Sequence, residues 1–105
     1  MDDRVCWRAP LWQWTAAAGG TWHFLTIEGD GAEAIAAHAL VRRLESGRAR
    51  GFGSVRVTAR IGATCWTTSV FPSREGGWWL PVKASVRRAE DIAAGDEVEV
   101  SLELH

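Results

Sequence analysis

Strict alternation of apolar and polar residues marks two stretches in the second half of the chain. From 54 to 61, and again from 98 to 104, apolar side chains occupy every second position, and polar or charged residues lie between them. A two-residue period is typical of a half-buried β-strand. The pattern predicts strands whose inward-facing residues are Val55, Val57, Ile61, Val98, Val100 and Leu102.

Four further stretches are rich in the aromatic and β-branched residues that favour strands, and turn residues separate them. They span 5–14, 21–27, 64–71 and 78–82. Pro10 cannot donate a backbone hydrogen bond, which restricts the first of these strands to a sheet edge or a bulge. Gly62 and Ala63 join two of the strands into a hairpin with a short loop.

One amphipathic helix is predicted over 31–46. Asp30 and Glu33 have the spacing at which two carboxylates cap the first turn of a helix. Gly47 can end the helix in the left-handed conformation. An apolar stripe at three- and four-residue spacing comprises Ile35, Ala36, Ala39, Leu40 and Leu44. A second, short helix is predicted over 84–89.

These elements predict a mainly β fold, a small closed β-barrel of about six strands with the longer helix packed across one opening. At 105 residues and 47% hydrophobic composition, the chain fits a single domain that folds alone, residues 1–105. The acidic side chains of the last strand share the period of Arg56 and Arg60, so opposite charges can pair if these strands are neighbours.

Charge and composition exclude several classes of protein. The net charge of −1 gives no overall field to draw the chain onto nucleic acid or an anionic membrane. No apolar run approaches the roughly 20 residues of a membrane span, and the N-terminus lacks the layout of a secretory signal, so a cytoplasmic location is expected. There Cys6 and Cys65 are expected as reduced, buried structural cysteines.

No catalytic or metal-binding arrangement emerges from the sequence. The histidines at 23, 38 and 105 lack the spacing of zinc ligands. Nothing in the spacing brings a base to Cys65 or Ser69, as a nucleophile would require. We therefore expect neither an enzyme nor a bound metal or other cofactor.

The most suggestive cluster joins cations to tryptophans. Arginine binds phosphates and carboxylates through two parallel hydrogen bonds, and exposed indoles stack on bases, sugars or cations. The binding interpretation predicts a cleft that takes a small anionic or aromatic ligand, or a peptide, and is lined by Trp66, Trp79, Lys83, Arg87 and Arg88. The alternative is a solvated helix face in which Lys83 caps carbonyls or pairs with an acidic residue of a strand.

Tryptophan is unusually frequent in this chain. Seven tryptophans in 105 residues exceed what the interior of a small barrel needs. Their polar indole N–H suits sites that are half apolar and half exposed to water. At least two of the seven are therefore expected to be partly exposed.

Several segments also resemble a known family. The bacterial family of unknown function DUF1905 is similar in the stretches 55–62, 67–72, 80–83, 86–88 and 95–100, and in Trp22 followed by a helix. The resemblance implies a double-split β-barrel that closes within one chain, the fold class of the AbrB/MazE-like regulators. Some members carry a second domain that resembles the YdeI/OmdA bacteriocin-protection proteins, for which 105 residues are too few.

The family name brings no biochemical activity, so two functions stay open. The first is a non-enzymatic binding module, monomeric or weakly homodimeric, for a small molecule or a peptide. The second is a nucleic-acid-binding regulator, an analogy that rests on the fold alone. Because the net charge is −1, neither nucleic acid nor membrane is an expected partner.

Overall fold

A computed structural model describes residues 3–46 and 53–105 of the chain. Within these ranges the elements, in chain order, are β1 (Arg4–Pro10), β2 (Trp12–Thr15), β3 (Thr21–Ile27), α1 (Gly29–Ser46), β4 (Val55–Ile61), β5 (Thr64–Pro72), β6 (Trp78–Pro81), α2 (Ala84–Glu90) and β7 (Glu97–Leu104). The prediction of a mainly β fold with one long and one short helix is confirmed.

The seven described strands form one antiparallel sheet in the order β1-β7-β4-β5-β6-β3-β2. The sheet curls into a half-barrel, with β1 and β2 as its two edges. The expected closed barrel of six strands is therefore not what this part of the chain forms. The difference arises in the stretch 5–14, which was predicted as one strand.

Leu11 divides that stretch into two strands. Its N–H donates to the carbonyl of Asp96 at 2.9 Å, and its own carbonyl accepts from the N–H of Gly95 at 2.8 Å. The preceding residue, Pro10, has no N–H to donate and ends β1. After Leu11 the chain leaves β7 and pairs with β3. The consecutive strands β1 and β2 therefore lie at opposite edges of the sheet.

The hydrophobic core lies on the inner face of the curled sheet. All six residues predicted to face inward are buried, with at most 6% of their surface exposed. Leu25 and Leu80, which face each other across β3 and β6, are fully buried as well. Burying one such aliphatic side chain stabilises the fold by roughly 1.5–3 kcal/mol, so the inner face dominates stability.

The long helix covers less of the core than its apolar stripe suggests. It begins at Gly29, so Asp30 lies in its first turn instead of capping it. Ile35 is fully buried, whereas Leu40 and Leu44 are 53% and 71% exposed. The apolar stripe therefore contacts the core only as far as Ala39, which is partly buried against it. That the helix lies across a barrel opening stays a prediction. The predicted terminator, residue 47, lies outside the described residues.

The outer face of β1, β7 and β4 carries charged residues, but their pairing differs from the expectation. Strands β4 and β7 are neighbours, yet the register places Ser101, not a glutamate, opposite Arg60. The glutamates of β7 pair with β1 instead, in the ion pairs Arg4–Glu103 (3.8 Å) and Arg8–Glu99 (3.7 Å).

The two cysteines occupy the same outer face. Cys6 and Cys65 are both free and exposed, so the expectation that they are buried is wrong. Each has the strand parity of the outward-facing residues, which places its thiol away from the core. Neither described helix is long and apolar enough to cross a membrane.

Candidate functional site

Aromatic residues occupy the outer face of the other half of the sheet. The register pairs Trp12 with Phe24 and Trp14 with Trp22 across β2 and β3. It pairs Trp79 of β6 with Thr26 of β3, directly beside them. Directly paired residues of antiparallel strands lie on one face. We call the surface formed by Trp12, Trp14, Trp22, Phe24 and Trp79 the aromatic face.

The rings of the aromatic face pack against one another. The ring centroids of Trp12 and Phe24 are 5.0 Å apart, and those of Trp12 and Trp79 are 5.3 Å apart in an edge-to-face arrangement. Trp14 and Trp22 form a second pair at 5.3 Å. Such pairs contribute about 0.5–1.5 kcal/mol beyond the area they bury. These ring contacts thus stabilise the aromatic face but leave part of each ring exposed to water.

Much aromatic surface remains open to water. Trp14, Trp22 and Trp79 are 51%, 47% and 38% exposed, which confirms the prediction that at least two tryptophans are partly exposed. Phe71 of β5, opposite Trp79, is also exposed and extends the apolar surface by one strand.

A groove of about 390 Å³ opens beside Trp12 and Trp79. It is lined by Ala9, Pro10, Trp12, Thr26, Glu28, Ser73, Glu75, Gly77 and Trp79. Among the residues that the structure describes, the lining thus contains two carboxylates and neither lysine nor arginine. The groove combines two indoles with two carboxylates.

The turn between β5 and β6 positions Glu75. The N–H of Ser73 donates to the carbonyl of Gly77 at 2.8 Å, which closes the turn. The hydroxyl of Ser73 accepts a hydrogen bond from the N–H of Glu75 at 3.1 Å. Such a local bond from backbone to serine is a common way to order a turn.

Gly77 lets this turn approach the junction of β3 and α1. A Cβ at this position would lie 3.0 Å from the carbonyl oxygen of Ile27 and 3.4 Å from the Cγ of Glu28. Glu28 immediately precedes α1, and its carbonyl accepts the N–H of Ala32 at 3.2 Å. The absence of a side chain at Gly77 therefore brings the two carboxylates to one groove.

Trp12 is held in place by a hydrogen bond as well as by ring packing. Its indole N–H donates to the hydroxyl of Thr26 at 2.8 Å, and this bond is partly buried. Glu28 and Glu75 have no ion-pair partner among residues 3–46 and 53–105. The groove thus combines fixed aromatic walls with two uncompensated charges.

The structure does not bring all five predicted site residues together. Trp66 is buried in the core, opposite Ala59, and is only 7% exposed. Trp79 points to the outer face, so these two indoles lie on opposite faces of the sheet. The predicted cleft is therefore corrected: Trp66 does not line it.

The three predicted cations lie at α2. Lys83 and Arg88 are exposed, whereas Arg87 is half-buried and its Nε donates to the carbonyl of Val82 at 3.2 Å. The backbone carbonyl of Lys83, not its side chain, anchors the first turn of the helix by accepting the N–H of Val86 and of Arg87. Arg87 thus has a structural contact of its own.

His23 lies beside this cluster. Its Nδ1 is buried and has no hydrogen-bond partner in the structure. Burial lowers the pKa of His23 below its usual value, and the positive charge of Arg87 lowers the pKa further. His23 is consequently a neutral neighbour of Arg87 at physiological pH.

Sequence reasoning missed Trp12, Glu28 and Glu75 as site residues. The two-residue spacing of Trp12 and Trp14, matched by Trp22 and Phe24, carried part of the signal, because it places two aromatics on one face of each strand. The carboxylates gave no such signal, since they lie in connections that meet only in the folded chain.

Fold and groove together define a small mainly β domain with an outward-facing aromatic surface. The chain belongs to the family described as domain of unknown function DUF1905, whose model matches residues 7–102. This confirms the family resemblance noted in the sequence. No curated protein sequence matches the chain.

Proposed function

We propose that this domain is a non-enzymatic binding module and that a small organic ligand with an apolar face binds in the groove beside Trp12 and Trp79. One observation carries the proposal: exposed tryptophans cluster on one face, and a groove of about 390 Å³ lies against that cluster. Contiguous apolar surface on a soluble protein marks an interaction site more often than isolated apolar residues do.

Size and energetics fit a small ligand. Pockets for small molecules are typically about 300–1,000 Å³ and combine apolar walls with a few polar groups. Stacking of one ring on an aromatic side chain contributes roughly 1–3 kcal/mol. Because association entropy opposes this gain, a ligand with one ring should bind with a dissociation constant of about 1 mM or weaker.

The charges of the groove favour this ligand over the other candidates. Carboxylates at Glu28 and Glu75 repel the anionic ligand that Lys83, Arg87 and Arg88 suggested. They also offer no partner to a phosphate backbone, which argues against the nucleic-acid-binding regulator. A gel-shift assay with mixed-sequence DNA at low salt should accordingly show no complex at about 50 μM protein.

Titration with benzyl alcohol tests the proposal. NMR spectra of the indole N–H groups should show saturable shifts for Trp12 and Trp79. The buried Trp66 serves as an internal control and should not respond. The variant Trp79→Leu should abolish the response of Trp12. Because it also loses the ring contacts with Trp12 and Phe24, it should melt a few degrees below the wild type but stay folded. The absence of saturable shifts at Trp12 and Trp79 would contradict the proposal.

A further inference from the structure

We infer that the groove selects organic cations, that is, ammonium or guanidinium groups attached to apolar carbon. This inference deepens the proposed function and rests on it. It concerns the sign of the ligand's charge, which aromatic walls alone do not determine.

The carboxylates provide the first argument. Glu28 and Glu75 both line the groove, and the part of the lining that the structure describes contains neither lysine nor arginine. Within the described residues neither carboxylate has an ion-pair partner. A cation in the groove would therefore supply the compensating charge. The attraction between opposite charges is stronger beside apolar rings than in bulk water, because the local dielectric constant is lower.

The indoles provide the second argument. The face of a tryptophan ring attracts cations, and it does so better than tyrosine or phenylalanine. Trp12 and Trp79 meet at an interplanar angle of 77°, so their faces point in different directions, and both residues line the groove. A substituted ammonium can contact an indole with its carbon atoms while its charge lies toward a carboxylate.

Preorganisation provides the third argument. The hydrogen bond from Trp12 to Thr26 fixes one wall, and the closed turn from Ser73 to Gly77 fixes the backbone of Glu75. Groups that are already ordered lose little conformational entropy when a ligand binds. The Trp12 wall and the backbone beside Glu75 should therefore change little when a ligand binds.

A series of three ligands of similar size tests the inference. Benzylammonium, benzyl alcohol and benzoate share one ring and carry positive, zero and negative charge. We expect benzylammonium to bind about tenfold more tightly than benzyl alcohol. Benzoate should bind most weakly, since both carboxylates repel it. The shifts of the Trp12 and Trp79 indole N–H signals measure all three dissociation constants.

A charge-neutralising variant locates the effect. Glu28→Gln combined with Glu75→Gln should remove the preference for benzylammonium, measured as the ratio of the dissociation constants of benzyl alcohol and benzylammonium in the same variant. The matched control combines Glu33→Gln with Glu45→Gln, two exposed residues of α1, and changes the net charge by the same amount. The control should keep the full preference. If the double variant at Glu28 and Glu75 fails to fold, Glu75→Gln alone, in the exposed turn, should reduce the preference.

The outcomes separate this inference from the proposed function. If benzyl alcohol binds and benzylammonium binds no more tightly, the cation inference is overturned and the binding module stands. The inference is overturned as well if the control variant loses the preference to the same extent, because the effect would then arise from net charge. If none of the three ligands shifts Trp12 and Trp79 saturably, both conclusions fail.

Discussion

The two halves of the sheet share one core but present different outer faces. On β1, β7 and β4 the outer residues are largely charged, and ion pairs such as Arg8–Glu99 connect neighbouring strands. On β2, β3 and β6 they are tryptophan and phenylalanine. The buried side chains of both halves are apolar, so the formation of the core does not account for this difference. The proposed binding groove lies on this outer face.

The comparison is informative because an outer aromatic face works against solubility. Charged residues on a sheet stay hydrated and discourage association with other sheets. Exposed indoles keep part of their apolar surface in water, and ring packing recovers only a fraction of the loss. The proposed ligand would cover the part of this face that lines the groove.

The largest loss of stability is expected on the inner face of strands β1, β7 and β4. Val57 is fully buried, so Val57→Asp would place an unpaired charge in the core. The loss of several kcal/mol should prevent soluble folding. Val100→Asp should behave alike. The neighbouring change Arg56→Asp, on the outer face, should cost at most about 1 kcal/mol in chemical denaturation. Near-native melting of Val57→Asp would show that the two faces are reversed.

A smaller loss of stability is expected from substitutions in the aromatic face. Trp12 packs against two rings and donates a hydrogen bond to Thr26, so Trp12→Ala should lower the free energy of unfolding by about 2 kcal/mol. Trp14 is half exposed and packs against one ring, and Trp14→Ala should cost about 1 kcal/mol or less. Urea denaturation measures both. Equal losses of unfolding free energy would mean that the hydrogen bond and the second ring contact of Trp12 do not add to stability.

The inner face was predictable from the sequence, and the aromatic face only in part. Alternation within a strand identifies the buried side, because side chains alternate with a period of two. The relation of Trp66 to Trp79 depends on how the chain turns between β5 and β6. A shift of one residue in that turn would exchange the two faces.

The groove does not include the cation cluster, for a related reason. Lys83, Arg87 and Arg88 follow Trp79 closely in sequence, and that proximity suggested one cleft. In the fold, Glu28 and Glu75 line the groove instead. Their approach depends on the pairing of β3 with β6 and on the close contact at Gly77, which the local sequence pattern does not reveal. The pairing of strands that are distant in sequence therefore determines which charges line the groove.

A fall in pH should lower the free energy of unfolding through His23, which lies on β3. The pKa of His23 in the folded chain is below the ordinary value of 6.5, because burial and the charge of Arg87 disfavour protonation. The unfolded chain therefore binds the proton more readily, and stability falls as the pH drops below about 6.5. His23→Gln should flatten this part of the curve of unfolding free energy against pH. An NMR titration in which His23 shows an ordinary or raised pKa would contradict the account.

The smallest expected effects are the coupling energies between paired side chains on the charged and on the aromatic outer face. Arg8 and Glu99 are 62% and 70% exposed, so a double-mutant cycle with Arg8→Ala and Glu99→Ala should give a coupling of roughly 0.2–1 kcal/mol. This coupling should fall at about 1 M salt, where screening acts within about 3 Å. The same cycle with Trp14→Ala and Trp22→Ala should give roughly 0.5–1.5 kcal/mol and should not respond to salt, because ring packing does not depend on net charge. If salt weakens both couplings equally, the contrast between an electrostatic and an apolar outer face is wrong.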